Sequence, residues 1–273
     1  ATPIGNLEDI TYRAVRLLKE VSLIAAEDTR HTRKLLAHFA IHTPLVSYHE
    51  HNKAEQGPVL ISRLGDGEDI AVVSDAGLPG ISDPGSDLVR LALAAAVNVV
   101  AVPGPNAALT ALVGSGLDTG RFTFVGFLPK TKKNRRETLG SLINHPFTMV
   151  FYEAPHRIGA TLSDLNTALG DRPAVAAREL TKKFEEYVRG TLVTLAAHFT
   201  ACPPRGEFTL VVAGAGGELP AAAAEPAVPD CPLPERVAAL VAGGLTKKDA
   251  IRTVARERGL PRRQVYQALI GKT

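Results

Sequence analysis

Loops rich in glycine, proline and acidic residues are the parts of this sequence best suited to chemistry. Residues 74–85 hold three glycines, two prolines and two aspartates in twelve positions. Glycine lets a backbone approach a ligand closely, and a carboxylate such as Asp75 accepts hydrogen bonds from hydroxyl or ammonium groups. A purely structural loop rarely needs so many constraints, so this segment predicts a small-molecule site. The tight turn at residues 2–6, which precedes a helical pattern, is a second candidate loop.

Several common chemistries are not indicated, because their motifs are missing from the sequence. It contains no G-x-G-x-x-G loop, no Walker loop and no serine nucleophile elbow. His49 and His51 flank Glu50, but an H-x-H pair without further ligands is more often a surface or substrate contact than a metal site. We therefore predict that no metal is bound.

Positive charge is concentrated in two places. Residues 234–273 carry nine Lys or Arg against three Asp or Glu, a net charge of +6, whereas residues 1–233 carry −3. Residues 130–136 place five cations in seven positions. Such clusters favour a polyanionic partner, although a charge run is often only a solvated helix face. The residues that we predict to contact RNA are Lys130, Lys132, Lys133, Arg135, Arg136, Lys247, Lys248, Arg262 and Arg263.

An alternating series of strands and helices is predicted to position these loops. Short apolar runs at residues 22–26, 70–73 and 99–102 end in Gly, Pro or acidic clusters and give way to helical patterns. That order is typical of βα units with a mostly parallel sheet, in which ligands bind beyond the carboxyl ends of the strands. Further strands are predicted at residues 122–125, 148–151, 174–177 and 209–212. The expected fold class is α/β.

The sequence pattern divides the chain into four parts. We predict an N-terminal α/β domain with the ligand loops over residues 1–114 and a second α/β domain over residues 115–216. A Gly/Ala/Pro linker over residues 217–234 then leads to a basic RNA-binding unit of two short helices over residues 235–273. The most apolar stretch, residues 91–113, is interrupted by prolines and asparagines, so no membrane span is expected.

Five motifs in order resemble the ribosomal RNA small subunit methyltransferase I family. They are ATPIGNL at residues 1–7, AEDTR at 26–30, SDAGLPGISDPG at 74–85, FYEAPHR at 151–157 and RELTK at 178–182. The resemblance implies the tetrapyrrole methylase fold, in which two α/β domains hold S-adenosylmethionine in the cleft between them, usually as a homodimer. It also implies methyl transfer to a cytidine ribose 2′-hydroxyl of small-subunit (16S) rRNA.

By that resemblance, the cofactor-binding positions fall on Pro3, Asp75, Leu78, Asn106, Ala107 and Leu180. Asp75 would accept from the ammonium or ribose hydroxyls, and Leu78 and Ala107 would supply apolar wall. The first loop departs from the G-x-G-P-G-D pattern of methylases that act on small tetrapyrroles, since Asn6 stands where the Asp would be. That departure and the basic C-terminal part both favour the rRNA branch.

A ribose hydroxyl is a weak acid, so a positioned base or a cation near the developing alkoxide would assist methyl transfer. The candidate bases are Asp28, Glu153 and Glu179, and the candidate cations are Arg30, Arg157 and Lys182. Each pair would equally suit an ordinary salt bridge. We predict that Asp28 and Lys182 are the catalytic residues.

Two other functions remain open at this point. One is methylation of a small tetrapyrrole-like acid, and the other is a non-catalytic ribosome-assembly factor that binds RNA. The predicted partners are small-subunit rRNA or the 30S particle and a second copy of the chain, with no membrane. Cys202 and Cys231 lie in proline-rich stretches and suggest surface thiols, which fits a reducing cytoplasm.

Overall fold

The computed structural model describes residues 1–83, 85–217, 232–258 and 260–270. No helix within these ranges is both long and apolar enough to cross a bilayer. The chain forms two compact units, one made of residues 1–110 with 179–185 and the other of residues 111–178 with the chain from residue 186 onward. Most of the linker predicted over residues 217–234 lies outside the described residues.

The first unit is a three-stranded sheet with helices. Its strands are β1 (Leu23–Ala26), β2 (Leu45–Ser47) and β3 (Ile70–Val73). Its helices are α1 (Tyr12–Glu20), α2 (Thr29–His38), α3 (Lys53–Gly65) and α4 (Ser86–Ala94), with a 3₁₀ turn at Leu7–Asp9 and the start of α5 (Ala107–Ser115). The strand order is β2-β1-β3, and both pairs are parallel. The predicted parallel N-terminal sheet is confirmed.

The central strand β1 is buried on both faces. Ile24 and Ala26 lie in one apolar cluster with residues of α1 and α2, whereas Leu23 and Ala25 lie in another with residues of α3 and α4. Because successive side chains of a strand point to opposite faces, four consecutive apolar residues serve both clusters. This double burial fixes β1 in the middle of the unit.

The strand predicted at residues 99–102 is wrong. These residues belong to no strand, and Val100 is 66% exposed. Their contact with the first loop is a hydrogen bond of 3.3 Å from the amino group of Ala1 to the carbonyl of Val102. Branched apolar residues favour a strand, but a strand forms only where a neighbouring backbone supplies its hydrogen bonds.

The second unit contains a five-stranded mixed sheet. Its strands are β4 (Phe122–Phe127), β5 (Thr148–Glu153), β6 (Pro173–Arg178), β7 (Glu186–Thr191) and β8 (Phe208–Val212), and its first helices are α6 (Lys132–Ser141), α7 (Ile158–Leu169) and α8 (Leu192–Ala201). The order is β4-β5-β8-β6-β7, with β4 and β5 parallel and the other pairs antiparallel. The sequence analysis missed β7, because this edge strand is polar and only partly buried.

Three helices, and not the predicted two, form the C-terminal part of the second unit. They are α9 (Leu233–Ala242), α10 (Lys247–Glu257) and α11 (Arg262–Ile270). Val237, Val254 and Val265, one from each helix, are buried in a shared core. We call these three helices the C-terminal bundle. Its apolar residues pack on each other, so it has a core of its own.

Polar contacts attach α9 to the rest of the second unit. Arg178 of β6 lies 3.4 Å from the carboxylate of Glu235, and Arg236 donates over 3.0 Å to the carbonyl of Ala201. Burial lowers the pKa of His198, which lies on α8 near the same charges. The bundle is therefore joined to the sheet by ion pairs and hydrogen bonds of α9, while α10 and α11 carry most of its basic residues.

Cys202 differs from the sequence-based expectation. It is 4% exposed. The prediction of a surface thiol is therefore wrong for this residue, because α8 ends in packed surroundings. Cys231 lies outside the described residues. Cytoplasmic localisation, which rested partly on free thiols, stays a prediction.

Candidate functional site

The ends of β1 and β3 bring the AEDTR motif into contact with the glycine-rich loop. The N–H of Asp28 donates to Oδ1 of Asp75 over 3.1 Å, and the N–H of Asp75 donates to Oε2 of Glu27 over 3.3 Å. The contact follows from the parallel register, in which Ala26 pairs with Val73 and both strands end at one edge. These two motifs therefore form one site, as the fold class predicts.

The first loop lies against the same glycine-rich loop. The N–H of Thr2 donates to the carbonyl of Gly77 over 2.8 Å and the N–H of Gly77 donates back over 3.0 Å, while Oγ1 of Thr2 donates to the carbonyl of Ser74. Gly77 has a φ of +79°, a conformation that favours glycine. The backbone after Thr2 thus places Pro3 beside the loop that carries Asp75.

A third loop, residues 103–106, joins these two. A Cβ on Gly104 would lie 2.9 Å from the Cβ of Ala1, so the two backbones approach closely. Asn106 then accepts a hydrogen bond of 3.0 Å from the N–H of Leu109 through Oδ1 and caps α5, whose first residue is Ala107. Helix N-termini favour negatively charged groups, so this loop offers a suitable end for a carboxylate.

A fourth segment, residues 179–185, belongs to the first unit although it connects β6 to β7 of the second. A Cβ on Gly5 would lie 2.4 Å from Cγ of Lys182 and 2.9 Å from the carbonyl oxygen of Leu180. Glu179 and Thr181 have φ values of +49° and +66°. Such conformations cost about 1–3 kcal/mol in residues other than glycine and cluster at ligand sites.

The six predicted cofactor residues all belong to the first unit and to its four converging loops. Pro3 lies on the first loop, Asp75 and Leu78 on the glycine-rich loop, Asn106 and Ala107 at the start of α5, and Leu180 on the segment before β7. The first five are half-buried, as ligand contacts require, whereas Leu180 is 6% exposed. Their role in cofactor binding stays a prediction.

Asp28 has a structural role that the sequence analysis did not foresee. It is the N-cap of α2, and its carboxylate accepts from the N–H and the guanidinium of Arg30, each at 2.8 Å. These hydrogen bonds hold the pKa of Asp28 well below its ordinary value. A carboxylate with so low a pKa accepts protons poorly, so this geometry argues against Asp28 as a general base.

Lys182, the other predicted catalytic residue, is ion-paired within the strained segment. Its Nζ lies 2.9 Å from Oε1 of Glu179, and its side chain is partly exposed. The pair fixes a positive charge beside Gly5, where it would stabilise an oxyanion on a bound substrate. The catalytic role of Lys182 stays a prediction, and Glu179, being paired with it, has the lesser claim to act as a base.

Glu27 is a candidate that the sequence analysis missed. Burial raises the pKa of Glu27, and the negative charges of Asp75 and Asp28 act in the same direction. The N–H of Asp75 and the nearby His49 oppose that shift. A carboxylate with a raised pKa at the edge of a ligand site is the better proton acceptor. Only the fold reveals this difference, because the sequence shows Glu27 and Asp28 simply as two adjacent carboxylates.

The candidate base of the second unit is enclosed. The side chain of Glu153 has no exposed surface; Thr161 donates to it, the N–H of Ala154 lies 2.9 Å away, and the guanidinium of Arg157 lies 3.4 Å away. Arg157 also donates to the carbonyl of Leu128 over 3.0 Å. Glu153 and Arg157 therefore hold the end of β5 in place, and neither is presented to a substrate.

His49 and His51 of the H-x-H segment are not joined by enough further ligands, within the described residues, to make a group of three. Among the described residues, no group of three or more His, Cys, Asp or Glu is arranged to hold a metal ion. The rings of His49 and His51 lie 6.0 Å apart. Nδ1 of His49 is buried and, within the described part of the chain, has no hydrogen-bond partner. The segment borders the site because His49 lies near Glu27 and opposes the rise in the pKa of that carboxyl.

The predicted RNA-binding cations fall into two groups on the second unit. Lys130, Lys132, Lys133 and Arg136 are exposed around the start of α6, whereas Arg135 is ion-paired with Asp164 at 2.7 Å. Arg135 therefore packs α6 against α7 and is the least suited of the five to RNA. The exposed cations Lys247 and Lys248 begin α10, and Arg262 and Arg263 begin α11. RNA binding by either group stays a prediction.

Sequence comparisons identify relatives over nearly the whole chain. The family model of the Tetrapyrrole (Corrin/Porphyrin) Methylases matches residues 1–196. A Ribosomal RNA small subunit methyltransferase I from Synechocystis sp. is 51% identical over 268 residues, which cover 98% of this chain and 94% of the relative. A protein of the same name from Bacillus subtilis is 48% identical over 267 residues, with 98% and 91% covered.

Comparison with solved structures identifies the same fold. The uroporphyrin-III-C-methyltransferase from Thermus thermophilus superposes with a TM-score of 0.55 at 19% identity, covering 77% of this chain and 90% of that one. A cobalt precorrin-4 methyltransferase superposes with a TM-score of 0.57 at 18% identity and the same coverage. At such identities the likeness concerns the fold alone, which agrees with the two α/β units described above.

Proposed function

Since the chain belongs to the tetrapyrrole methylase family and, within it, to the ribosomal RNA small subunit methyltransferase I family, we propose that it transfers a methyl group from S-adenosylmethionine to small-subunit rRNA. The acceptor that we propose is the 2′-hydroxyl of a cytidine ribose in 16S rRNA. The relatives' name supports the substrate class, and the family motifs support the finer assignment. The exposed cations of α6, α10 and α11 are consistent with a polyanionic substrate.

The observation that carries the cofactor part of the proposal is the convergence of four loops in the first unit. The polar and apolar groups of these loops suit a ligand that combines a sulfonium amino acid with a ribose. Oδ1 of Asp75 accepts a hydrogen bond from the Asp28 N–H, whereas Oδ2 accepts none from the described residues. Oδ2 can therefore accept from an ammonium or a hydroxyl group of the cofactor. The N-terminus of α5 at Ala107 suits the carboxylate, and half-buried Leu78 supplies apolar surface.

S-adenosylmethionine supplies a methyl group on a positively charged sulfur, and its transfer to oxygen is an in-line displacement. The protein's main contribution is then to align the hydroxyl with that methyl group. Glu27, with its raised pKa, accepts the hydroxyl proton, and Lys182 stabilises the negative charge that develops on oxygen. Asp28 holds the start of α2 and the Asp75 loop in position.

Methylation of purified small ribosomal subunits with radiolabelled S-adenosylmethionine tests the proposal. We expect the label to enter the rRNA at one cytidine and the phosphodiester bond after that cytidine to resist alkaline cleavage. The reason is that a 2′-O-methyl group blocks the hydroxyl that alkaline cleavage needs. Label in a base, or in a small tetrapyrrole-like acid supplied instead, would contradict the acceptor. RNA binding without any transfer would favour the assembly-factor alternative. Formation of a homodimer, which the family resemblance implies, is tested by sedimentation in the same preparation.

A further inference from the structure

A concave site of about 520 Å³ lies in the C-terminal bundle, where α10 meets the start of α11. Its lining residues are Arg252, Thr253, Ala255, Arg256, Leu260 and Arg262. Half of them are arginines, and within the described residues no carboxylate and no aromatic ring lines the site. Such a lining offers guanidinium donors and one hydroxyl, and among the described residues it holds no aromatic ring on which a base would stack.

Among the residues that the structure describes, the bundle's own acids form an ion pair with only one of the three arginines that line this site. Glu235 is paired with Arg178, and Glu257 with Arg236, outside the site. Asp249 is paired with Arg252 at its edge. Within the described part of the chain, Arg256 and Arg262 form no ion pair. Two exposed guanidinium groups therefore face the same hollow with their charge available.

The floor of the site is part of a packed core. Ala255 is buried in the bundle core, and Leu260 packs against that core. Because core residues hold the backbone of α10 and the turn after it, the separation of the arginine stems is fixed before any ligand binds. In addition, α11 begins at Arg262, so the positive end of its dipole lies at the rim of the site.

We propose that this site binds phosphodiester groups of the rRNA backbone and so anchors the C-terminal bundle on the substrate. A planar guanidinium matches phosphate oxygens with two parallel hydrogen bonds, which a lysine ammonium does not. Three of the six described lining residues are arginines and none is an aromatic residue, and guanidinium groups pair most strongly with charged phosphate oxygens, so the site favours the backbone over the bases. The inference rests on the proposed function, since it assumes an RNA substrate.

The test compares single charge deletions in the full-length protein. Arg256→Ala and Arg262→Ala each remove one site arginine, and the control Arg205→Ala removes the same charge from an exposed arginine before β8 that is not among the predicted RNA contacts. Binding of a fluorescent small-subunit rRNA fragment is measured by anisotropy at several salt concentrations. Melting temperature and cofactor affinity are measured for every variant, so that misfolding is recognised.

We expect each site variant to weaken RNA binding by about tenfold and to lower the salt slope by about 0.7–0.9. Arg205→Ala should leave RNA affinity unchanged. Arg256→Lys, which keeps the charge but loses the planar donor pair, should recover only part of the affinity. Cofactor affinity and melting temperature should match the wild type throughout.

A loss for Arg205→Ala equal to the losses for Arg256→Ala and Arg262→Ala would overturn the site, because it would show that binding depends on the overall charge and not on these two arginines. Full recovery of RNA affinity in Arg256→Lys would also overturn the site, because it would show that only a positive charge, and not the planar donor pair, is needed. These outcomes are independent of catalysis, since wild-type methyl transfer to small subunits is assayed in parallel. If the wild-type protein transfers no methyl group but the site variants still lose RNA affinity as expected, the proposed activity is contradicted and the phosphate site is supported. A lowered melting temperature in both site variants would make the arginines structural and also overturn the inference.

Discussion

A Cβ placed on Gly5 would lie 2.4 Å from Cγ of Lys182, so the first loop and the segment before β7 touch where only a glycine fits. The two residues are far apart in the sequence, and both belong to motifs that carry the family resemblance. Their contact joins the predicted cofactor residues Pro3 and Leu180 in one unit. The first loop therefore depends on a segment that the chain reaches only after β6.

Gly5→Ala should destabilise the first unit and weaken cofactor binding. The added methyl group would meet the backbone carbonyl of Leu180 at 2.9 Å as well as Lys182, so the segment must move. Overpacking of this kind costs about 1–3 kcal/mol. Thermal unfolding and calorimetric titration with S-adenosylmethionine measure the two effects.

Gly140→Ala is the matched control, because a Cβ on Gly140 meets nothing within 4 Å and the residue lies inside α6. Alanine at such a position should raise the stability by about 0.5–1 kcal/mol. A Gly5→Ala protein as stable as the Gly140→Ala protein would show that the segment gives way without cost.

Asp75→Ala should weaken S-adenosylmethionine binding by more than tenfold, since a hydrogen bond to a charged group contributes about 1.5–3 kcal/mol. Asp75→Asn separates the two roles of the side chain. It keeps an oxygen for the N–H of Asp28 but removes the charge. Weakened binding at unchanged melting temperature in Asp75→Asn would assign the charge to the ligand, whereas unchanged affinity in both variants would exclude Asp75 from the site.

Glu27→Gln should abolish most methyl transfer while raising stability at neutral pH. The pKa of Glu27 is raised in the folded protein, so the folded state holds the proton more tightly than the unfolded chain. Stability is then greatest below the ordinary carboxylate pKa and falls as the pH rises through the raised pKa. Glutamine removes this loss, so the gain in melting temperature should shrink towards low pH.

The rate of transfer gives an independent check on Glu27. Loss of a general base costs about 10²–10⁴ in rate, and the wild-type rate should rise with pH through the raised pKa until Glu27 is ionised. Glu27→Gln should lack that rise. A variant that keeps the wild-type pH profile would assign the proton to another acceptor.

Asp28→Ala and Asp28→Asn should differ, because Asp28 is a helix cap. Loss of the cap costs about 0.5–2 kcal/mol, whereas asparagine caps nearly as well. We therefore expect a lower melting temperature for Asp28→Ala and near wild-type single-turnover rates for Asp28→Asn. A rate for Asp28→Asn reduced by a hundredfold at full stability would restore the prediction that Asp28 is catalytic.

Lys182→Ala should lower the single-turnover rate far more than it lowers cofactor affinity, if its charge acts on the oxygen nucleophile. The motivation is the fixed position of Nζ, 2.9 Å from Glu179 and beside the first loop. Glu179→Gln, which frees the lysine, is the companion variant. Rates within twofold of wild type for Lys182→Ala would leave the residue as a structural ion-pair partner.

Deleting the chain from Pro234 onward should weaken binding to small subunits while nearly preserving cofactor affinity. Three lost phosphate contacts would reduce the salt slope of binding by roughly 2–3. Val254 and Val265 are buried in the bundle's own core, and Leu269 packs against it. The loss of stability should therefore be small and limited to the contacts of Glu235 and Arg236. An unchanged salt slope would remove the bundle from RNA recognition.

The sequence alone determined the class of fold, the positions of most strands along the chain and the loops of the candidate site. The run at residues 23–26 identifies a buried parallel strand, because a strand covered on both faces must be apolar throughout. The sequence pattern placed Asp75 and the AEDTR motif at the ends of strands, and in the structure the Asp28 N–H donates to Asp75. These inferences depend on local composition, which the chain carries wherever it folds.

Only the tertiary structure decided what each charged residue does there. Asp28 and Glu27 are adjacent carboxylates, yet capping and Arg30 lower the pKa of one while burial raises that of the other. Similarly, Arg135 is tied to Asp164, whereas Arg256 and Arg262 line a common hollow. Electrostatic roles depend on burial and on partners distant in the sequence, so a list of residues does not contain them. The same reason explains why residues 99–102, apolar enough for a strand, form none without a backbone beside them.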